Sequence, residues 1–397
     1  MKIFEYIDLK KIEEIFILLF FLNVPVSTIT CQTFLGDLSK YFVCAIILIE
    51  IILKPFKSFL KKQNLLLLSL ILIYILNLLL HNPFNSLTLS LNSIYIFITV
   101  FFLTNIDISS DLVDLIIKCL LFSITVFVIV VFFSILVTHD FDRMNFFVLG
   151  AKFHPNYQIV PLCIQPAVLF YLVNKENYKF SLLNSFFHFV ILLMNFYIIL
   201  KMESRAQFYT CLFVIISMLF VFLLKNKQFI ISNYEKYIKY MKSIIIFCII
   251  CATFGIYFFV FSNNRIFDFN EMIASGGSLR LQMWNEALQM SVANSNLFGL
   301  GNIYFVSNSI YSMVAHNSYI TMLLDVGIVG LLLFLIYIGY YIIRINFNNI
   351  CFIGFLLSFM ISSFFVDTFN NFGSLVMFIV FVLGLSAYKK NEVGDIR

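Results

Sequence analysis

The sequence predicts an all-α, polytopic integral membrane protein of about twelve transmembrane helices, with one long extracytoplasmic loop that carries an amphipathic helix. Three observations predict it. Hydrophobic residues make up 61% and charged residues 12% of the 397, and the mean hydropathy is +0.98. A soluble domain would need about twice that charge for its surface. Apolar runs of about 17 to 25 residues recur along nearly the whole chain, each long enough to cross ~30 Å of hydrocarbon as a helix. These runs lack the two-residue alternation of a membrane β-barrel.

In order, the spans centre near Phe20, Ile47, Leu70, Ile96, Phe127, Val168, Ile191, Ile215, Cys248, Leu331, Leu357 and Ile379. The first follows Lys10, Lys11, Glu13 and Glu14 without a small-residue cleavage site, so it reads as a retained helix. Together the spans form one membrane domain over residues 1–397, with residues 263–316 as a loop between the ninth and tenth. The eight cysteines lie in or beside apolar segments, with no CxxC pair or regular spacing, so neither a disulfide framework nor a zinc site is indicated. The net charge of +5 is no nucleic-acid signal, because the lysines flank helices.

Charge also orients the chain. With a cytoplasmic N-terminus and twelve spans, eighteen of the twenty-six cations fall inside, as the positive-inside rule requires. Both termini are then cytoplasmic. Sixteen of the inside eighteen are Lys, whereas four of the outside seven are Arg: Arg143, Arg205, Arg265 and Arg280. Arginine's planar, permanently charged fork suits phosphate and carboxylate oxygens. His81, His139, His154 and His316 also fall outside, so the working face is expected there.

In the long loop, Gly276, Gly277 and Ser278 precede a helical stretch, LRLQMWNEALQM, with Ser278 as the expected N-cap. On a helical wheel Gln282, Asn285, Glu286 and Gln289 share one arc, and Arg280 falls within the apolar remainder beside Trp284 and Ala287. Two readings of Arg280 stand open: snorkelling to lipid phosphates from an interfacial helix, or holding an anion in a protein cavity. Arg205 follows Glu203 and Ser204 at the outer mouth of the eighth span, where pairing with Glu203 competes with ligand binding. His316, beside Asn317 at the lip of the tenth span, is either a capping residue or a base for a hydroxyl. Asp325 lies on the opposite side of that helix, with Gly327 and Gly330 allowing a close helix crossing. Asp140-Phe141-Asp142 is a DxD that can hold a metal, but so short a pattern is common, and His154-Pro155-Asn156 reads as a turn.

The segments GAKFHPN (150–156), ESRAQF (203–208), SLRLQMW (278–284), NLFGLGNIYF (296–305) and HNSYITMLLDVGIVGLLLF (316–334), in that order, resemble the O-antigen ligase and polymerase superfamily. The resemblance covers roughly the second half of the chain, and Asn296 stands where the family usually has proline. It implies a glycosyl transfer without metal or cofactor at the outer face of a bacterial cytoplasmic membrane. The donor would be an undecaprenyl-pyrophosphate-linked saccharide and the acceptor a sugar hydroxyl, with chain-length regulator and flippase proteins as expected partners. The family's essential arginines map to Arg205 and Arg280 and its histidine to His316, with Asn317 and Trp284 as further substrate-binding positions. A repeat-unit polymerase is the first expectation, a ligase onto lipid A core or protein the second. A flippase or other transporter is the alternative of another class; neither the repeat halves nor the midplane charges typical of transporters are apparent.

Overall fold

The computed structural model describes residues 8–27, 34–55, 62–80, 87–138, 146–148, 151–152, 160–174, 182–225, 279–294, 296–301, 304–311, 315–345, 350–365 and 372–394. The ninth expected span around Cys248, the Asp140-Phe141-Asp142 motif, His81, His139, His154, Arg143, Arg265 and residues 263–278 lie outside them. Eleven of the twelve expected centres fall within helices: α1 (Leu9–Ser27), α2 (Phe34–Leu53), α3 (Lys62–Leu80), α4 (Leu87–Leu103), α5 (Ser110–Val137), α6 (Ile164–Asn174), α7 (Leu182–Lys201), α8 (Arg205–Lys225), α11 (Ser318–Ile342), α12 (Ile353–Phe365) and α13 (Phe372–Gly394). Two further helices, α9 (Arg280–Ala293) and α10 (Tyr304–Asn308), fall within the residues expected to form the long loop. Among the described residues, α5 and α11 are long and apolar enough by themselves to cross a bilayer.

Among the described residues the regular structure is helical with one exception. Phe147–Val148 and Ala151–Lys152 form a small antiparallel pair, Phe147 opposite Lys152, in the connection after α5. Two residues per strand are too few to show the alternation that marks a strand in sequence.

Helix α13 forms the centre of the bundle. Every residue from Leu375 to Leu383 is buried, as expected of a helix apolar on all sides. Helices α1, α4, α5 and α12 pack around it, and aromatic contacts knit the interior, with Phe359 and Phe378 at 5.2 Å and Tyr171 and Phe352 at 4.9 Å. By contrast, α5 is buried on one side and presents Leu115, Phe122, Phe133 and Leu136 outward. Such a continuous apolar exterior belongs against lipid.

Polar contacts distinguish the two ends of the bundle. At one end Lys54 Nζ reaches Glu50 at 2.7 Å, Asp107 at 3.7 Å and the Asn105 carbonyl at 2.8 Å. Lys10 reaches Glu13 at 2.6 Å there, and both glutamates are wholly buried. Lysines that look in sequence like simple inner flanks are thus partly held in buried ion pairs, which need such partners to offset desolvation. The opposite end gathers the starts of α6, α8, α9 and α11 and the ends of α3, α7 and α12, and it carries the candidate site.

Candidate functional site

Among the described residues, three that are not glycine have left-handed backbone: Glu203 (φ 50°), Leu279 (φ 66°) and His316 (φ 52°). Each precedes a helix start. Glu203 comes two residues before Arg205, the first residue of α8; Leu279 immediately precedes Arg280, the first residue of α9; His316 precedes Asn317, the N-cap of α11. Left-handed backbone in L-residues costs about 1–2 kcal/mol and concentrates at functional sites. All three candidate residues therefore stand at helix N-termini, whose unsatisfied N–H groups and dipole favour anions.

The N-cap of α9 is Leu279 and not Ser278, and no side chain caps it. The left-handed turn at Leu279 moves the first helical residue to Arg280, one place beyond where a Ser cap would put it. At α11 the cap is conventional: Asn317 Oδ1 accepts from the N–H groups of Tyr319 (3.0 Å) and Ile320 (3.1 Å). Asn317 is accordingly buried, while His316 is half-buried.

Arg280 is half-buried at the start of α9. Arg280, Met283, Ala287 and Ser291 follow at helical spacing on one face, and the last three are buried. Leu281, Leu288 and Val292 form a separate exposed stripe. Trp284, one turn from Arg280, donates its indole N–H to the carbonyl of Ala315 at 2.8 Å, immediately before His316. Its ring also meets Phe364 of α12 edge-on at 5.9 Å, and Phe364 in turn meets Tyr319 of α11 at 5.9 Å. Helix α12 packs on α8 as well, so one helix borders both the element that begins with Arg205 and the one that His316 leads.

The polar arc of α9 is bonded to residues 309–311. Glu286 accepts from the Ile310 N–H at 3.1 Å and from Ser309 Oγ at 3.4 Å, and Gln282 Oε1 accepts from Tyr311 Oη at 3.1 Å. Beneath lies a small separate core of Met283, Ala287, Phe305, Ala315 and Leu324.

A second tie joins the far end of α9 to α11. Helix α11 is broken at Gly327 (φ 70°, ψ −172°), and the segment Asn296–Gly301 fills the break. Ile328 and Val329 donate to the carbonyls of Asn296 (3.2 Å) and Leu297 (3.1 Å), Leu300 donates to Leu324 (2.7 Å), and Asn296 Nδ2 donates to Leu323 (2.7 Å). Backbone groups freed by a helix break must find partners inside the protein. Proline at position 296 would lack this side-chain donor. A Cβ on Gly327 would come within 2.3 Å of the Leu297 carbonyl oxygen, so the close approach foreseen there is made by a loop and not by a helix. Gly330 does face a helix, Leu70 of α3. With Trp284 tied near the start of α11 and Asn296 near its break, α9 and the first half of α11 run side by side. At about 1.5 Å per residue, the pairing lies roughly 10–15 Å along α11 from its start.

Sequence reasoning missed further polar residues at this end. Asn195 of α7 donates to Gln165 Oε1 (2.6 Å) and to the Leu162 carbonyl (2.9 Å), and Ser204 lies buried beside Arg205. Single amides and hydroxyls in apolar helices have no motif by which to be found. Among the described residues there is no group of three or more His, Cys, Asp or Glu side chains able to hold a metal ion.

Comparison with known families matches residues 189–335 to a family described as O-antigen ligase. This range contains Arg205, Arg280, Trp284, His316 and the break at Gly327. The match supports the O-antigen ligase/polymerase superfamily. No curated protein matches the chain.

Proposed function

We propose that this integral membrane protein, whose residues 189–335 carry the likeness to the O-antigen ligase/polymerase superfamily, joins undecaprenyl-pyrophosphate-linked repeat units into an O-antigen, capsule or exopolysaccharide chain. The reaction takes place at the extracytoplasmic end of the bundle. One observation carries the reading: Arg280 lies on the packed face of α9, and Trp284 on that face is bonded to the residue before His316. That placement favours an anion held inside the protein over an arginine snorkelling to lipid.

In this reading Arg205 and Arg280, each opening a helix, hold the donor's pyrophosphate. The acceptor hydroxyl oxygen attacks the donor's anomeric carbon, the bond from that carbon to the phosphate oxygen breaks, and undecaprenyl pyrophosphate departs. His316 takes the hydroxyl proton, and the arginines offset the charge that develops on the leaving group. Asn317 fixes the backbone that presents His316, and Asn317 and Trp284 border the sugar. The chemistry assigns no step to a metal.

A ligase that transfers finished polymer to lipid A core or protein is the second reading, favoured by the description of the matched family. The two differ in what accumulates when His316→Ala removes the base. Extraction of the lipid-linked pool and sizing of its glycans should give single repeat units. Long chains left on the carrier would instead establish a ligase, and single units confined to the cytoplasmic leaflet a flippase.

A further inference from the structure

Asn77, near the end of α3, donates from its one side-chain nitrogen to two carbonyls far away in sequence: Phe298 at 2.6 Å and Asp325 at 2.7 Å. It is 6% exposed. The Phe298 carbonyl belongs to the segment that fills the break in α11, and the Asp325 carbonyl is among the last before it. A Cβ on Gly299 would fall 2.0 Å from the Asp325 oxygen and 2.5 Å from Asn77 Nδ2, so only glycine lets the two backbones meet around this amide. Both N–H groups of Asn77 are used, one on each side of the seam. Asn77 lies outside residues 189–335, so the family likeness does not reach it.

The half-helix Ser318–Val326, which His316 leads, is separated from the rest of α11 by Gly327. It is tied to α9 at both ends, by Trp284 near its start and by Asn296 near its break. Beside the packing of α3 on α11, Asn77 ties this two-helix unit to the N-terminal helices through hydrogen bonds at the break. We infer that Asn77 is a positioning residue: it fixes the unit that carries Arg280 and His316 against α3, and so sets where the base stands relative to the bound donor. This rests on the reading of His316 as the base.

The test uses the full-length protein in detergent and Asn77→Leu, which keeps the volume and removes both donors. Trp284 is the only tryptophan in the chain, and its ring meets Phe364 of α12, outside the unit, so its emission reports how the unit is seated. The inference expects that emission to shift to longer wavelength in Asn77→Leu. Turnover of lipid-linked saccharide extracted from His316→Ala cells should fall about tenfold per folded molecule, as loss of two hydrogen bonds allows. The KM for that donor should rise by less than turnover falls, because Arg280 moves with the unit while Arg205 stands on a helix that Asn77 does not touch, and Asn77→His, which retains one ring N–H, should recover part of the turnover. Unchanged Trp284 emission, or normal turnover per folded molecule with less folded protein, would reduce Asn77 to a stabilising residue and overturn the inference. A shifted emission in a protein whose wild type does not consume the donor would sink the polymerase and ligase readings while leaving the fastening role in place.

Discussion

Trp284 donates its indole N–H to the carbonyl of Ala315 at 2.8 Å, across thirty-one residues of sequence. This bond brings the helix that opens with Arg280 to the residue that precedes His316. Trp284→Phe keeps an aromatic ring against Phe364 and removes the donor. It should cost about 0.5–1.5 kcal/mol of stability, the usual net worth of one hydrogen bond. Thermal unfolding in detergent measures that cost, and glycan yield at matched protein level should fall further than the stability change accounts for. Normal yield would mean that the tie does not position His316.

Arg280→Lys and Arg205→Lys keep the charge and lose the planar fork. Each should lower transfer by about 10²–10³-fold, the scale of losing one donor aimed at developing charge, with the protein still in the membrane. Surface glycan and membrane fractions checked together read this. Near-normal polymer from Arg280→Lys would return that residue to a lipid-snorkelling role.

Two of the three glycines of α11, Gly327 and Gly339, should behave oppositely. At Gly327 an added Cβ would meet the Leu297 carbonyl oxygen at 2.3 Å, and the backbone is left-handed. Gly327→Ala should therefore cost at least about 2 kcal/mol from overpacking and strain. At Gly339 nothing lies within 4 Å of an added Cβ, and alanine there should stabilise the helix by about 0.5–1 kcal/mol. Unfolding midpoints compare the pair directly. Equal midpoints would contradict the broken helix.

Sidedness has its own test, resting on the distribution of Lys and Arg. A cysteine at Asn302, once native cysteines are replaced, should react with an impermeant thiol reagent on intact cells or spheroplasts. Asn302 itself lies outside the described residues. Reaction only after lysis would invert the topology.

Much of the helical scaffold was legible because burial in lipid leaves its mark on single segments. A run of apolar side chains suffices to place a helix, and the wheel position of Arg280 beside Ala287 and Trp284 follows from spacing alone. The same reasoning grouped Gln282 and Glu286 on one arc, although it could not show that they hold residues 309–311. An expected Ser278 cap failed for a local reason: a left-handed Leu279 leaves no propensity signal.

Sequence by itself determined that this chain is a membrane helical protein, which side chains are rare enough among apolar helices to demand a role, and that Gly327 and Gly330 permit a close approach. Tertiary structure alone decided what comes close. The partner of Gly327 is the backbone of Asn296–Gly301, and the fastening amide is Asn77, 221 and 248 residues from the carbonyls it binds. Backbone-to-backbone pairing across such separations uses groups common to nearly every residue, so it leaves no periodicity and no motif. Only the folded packing of α3, α9 and α11 selects which of those groups meet.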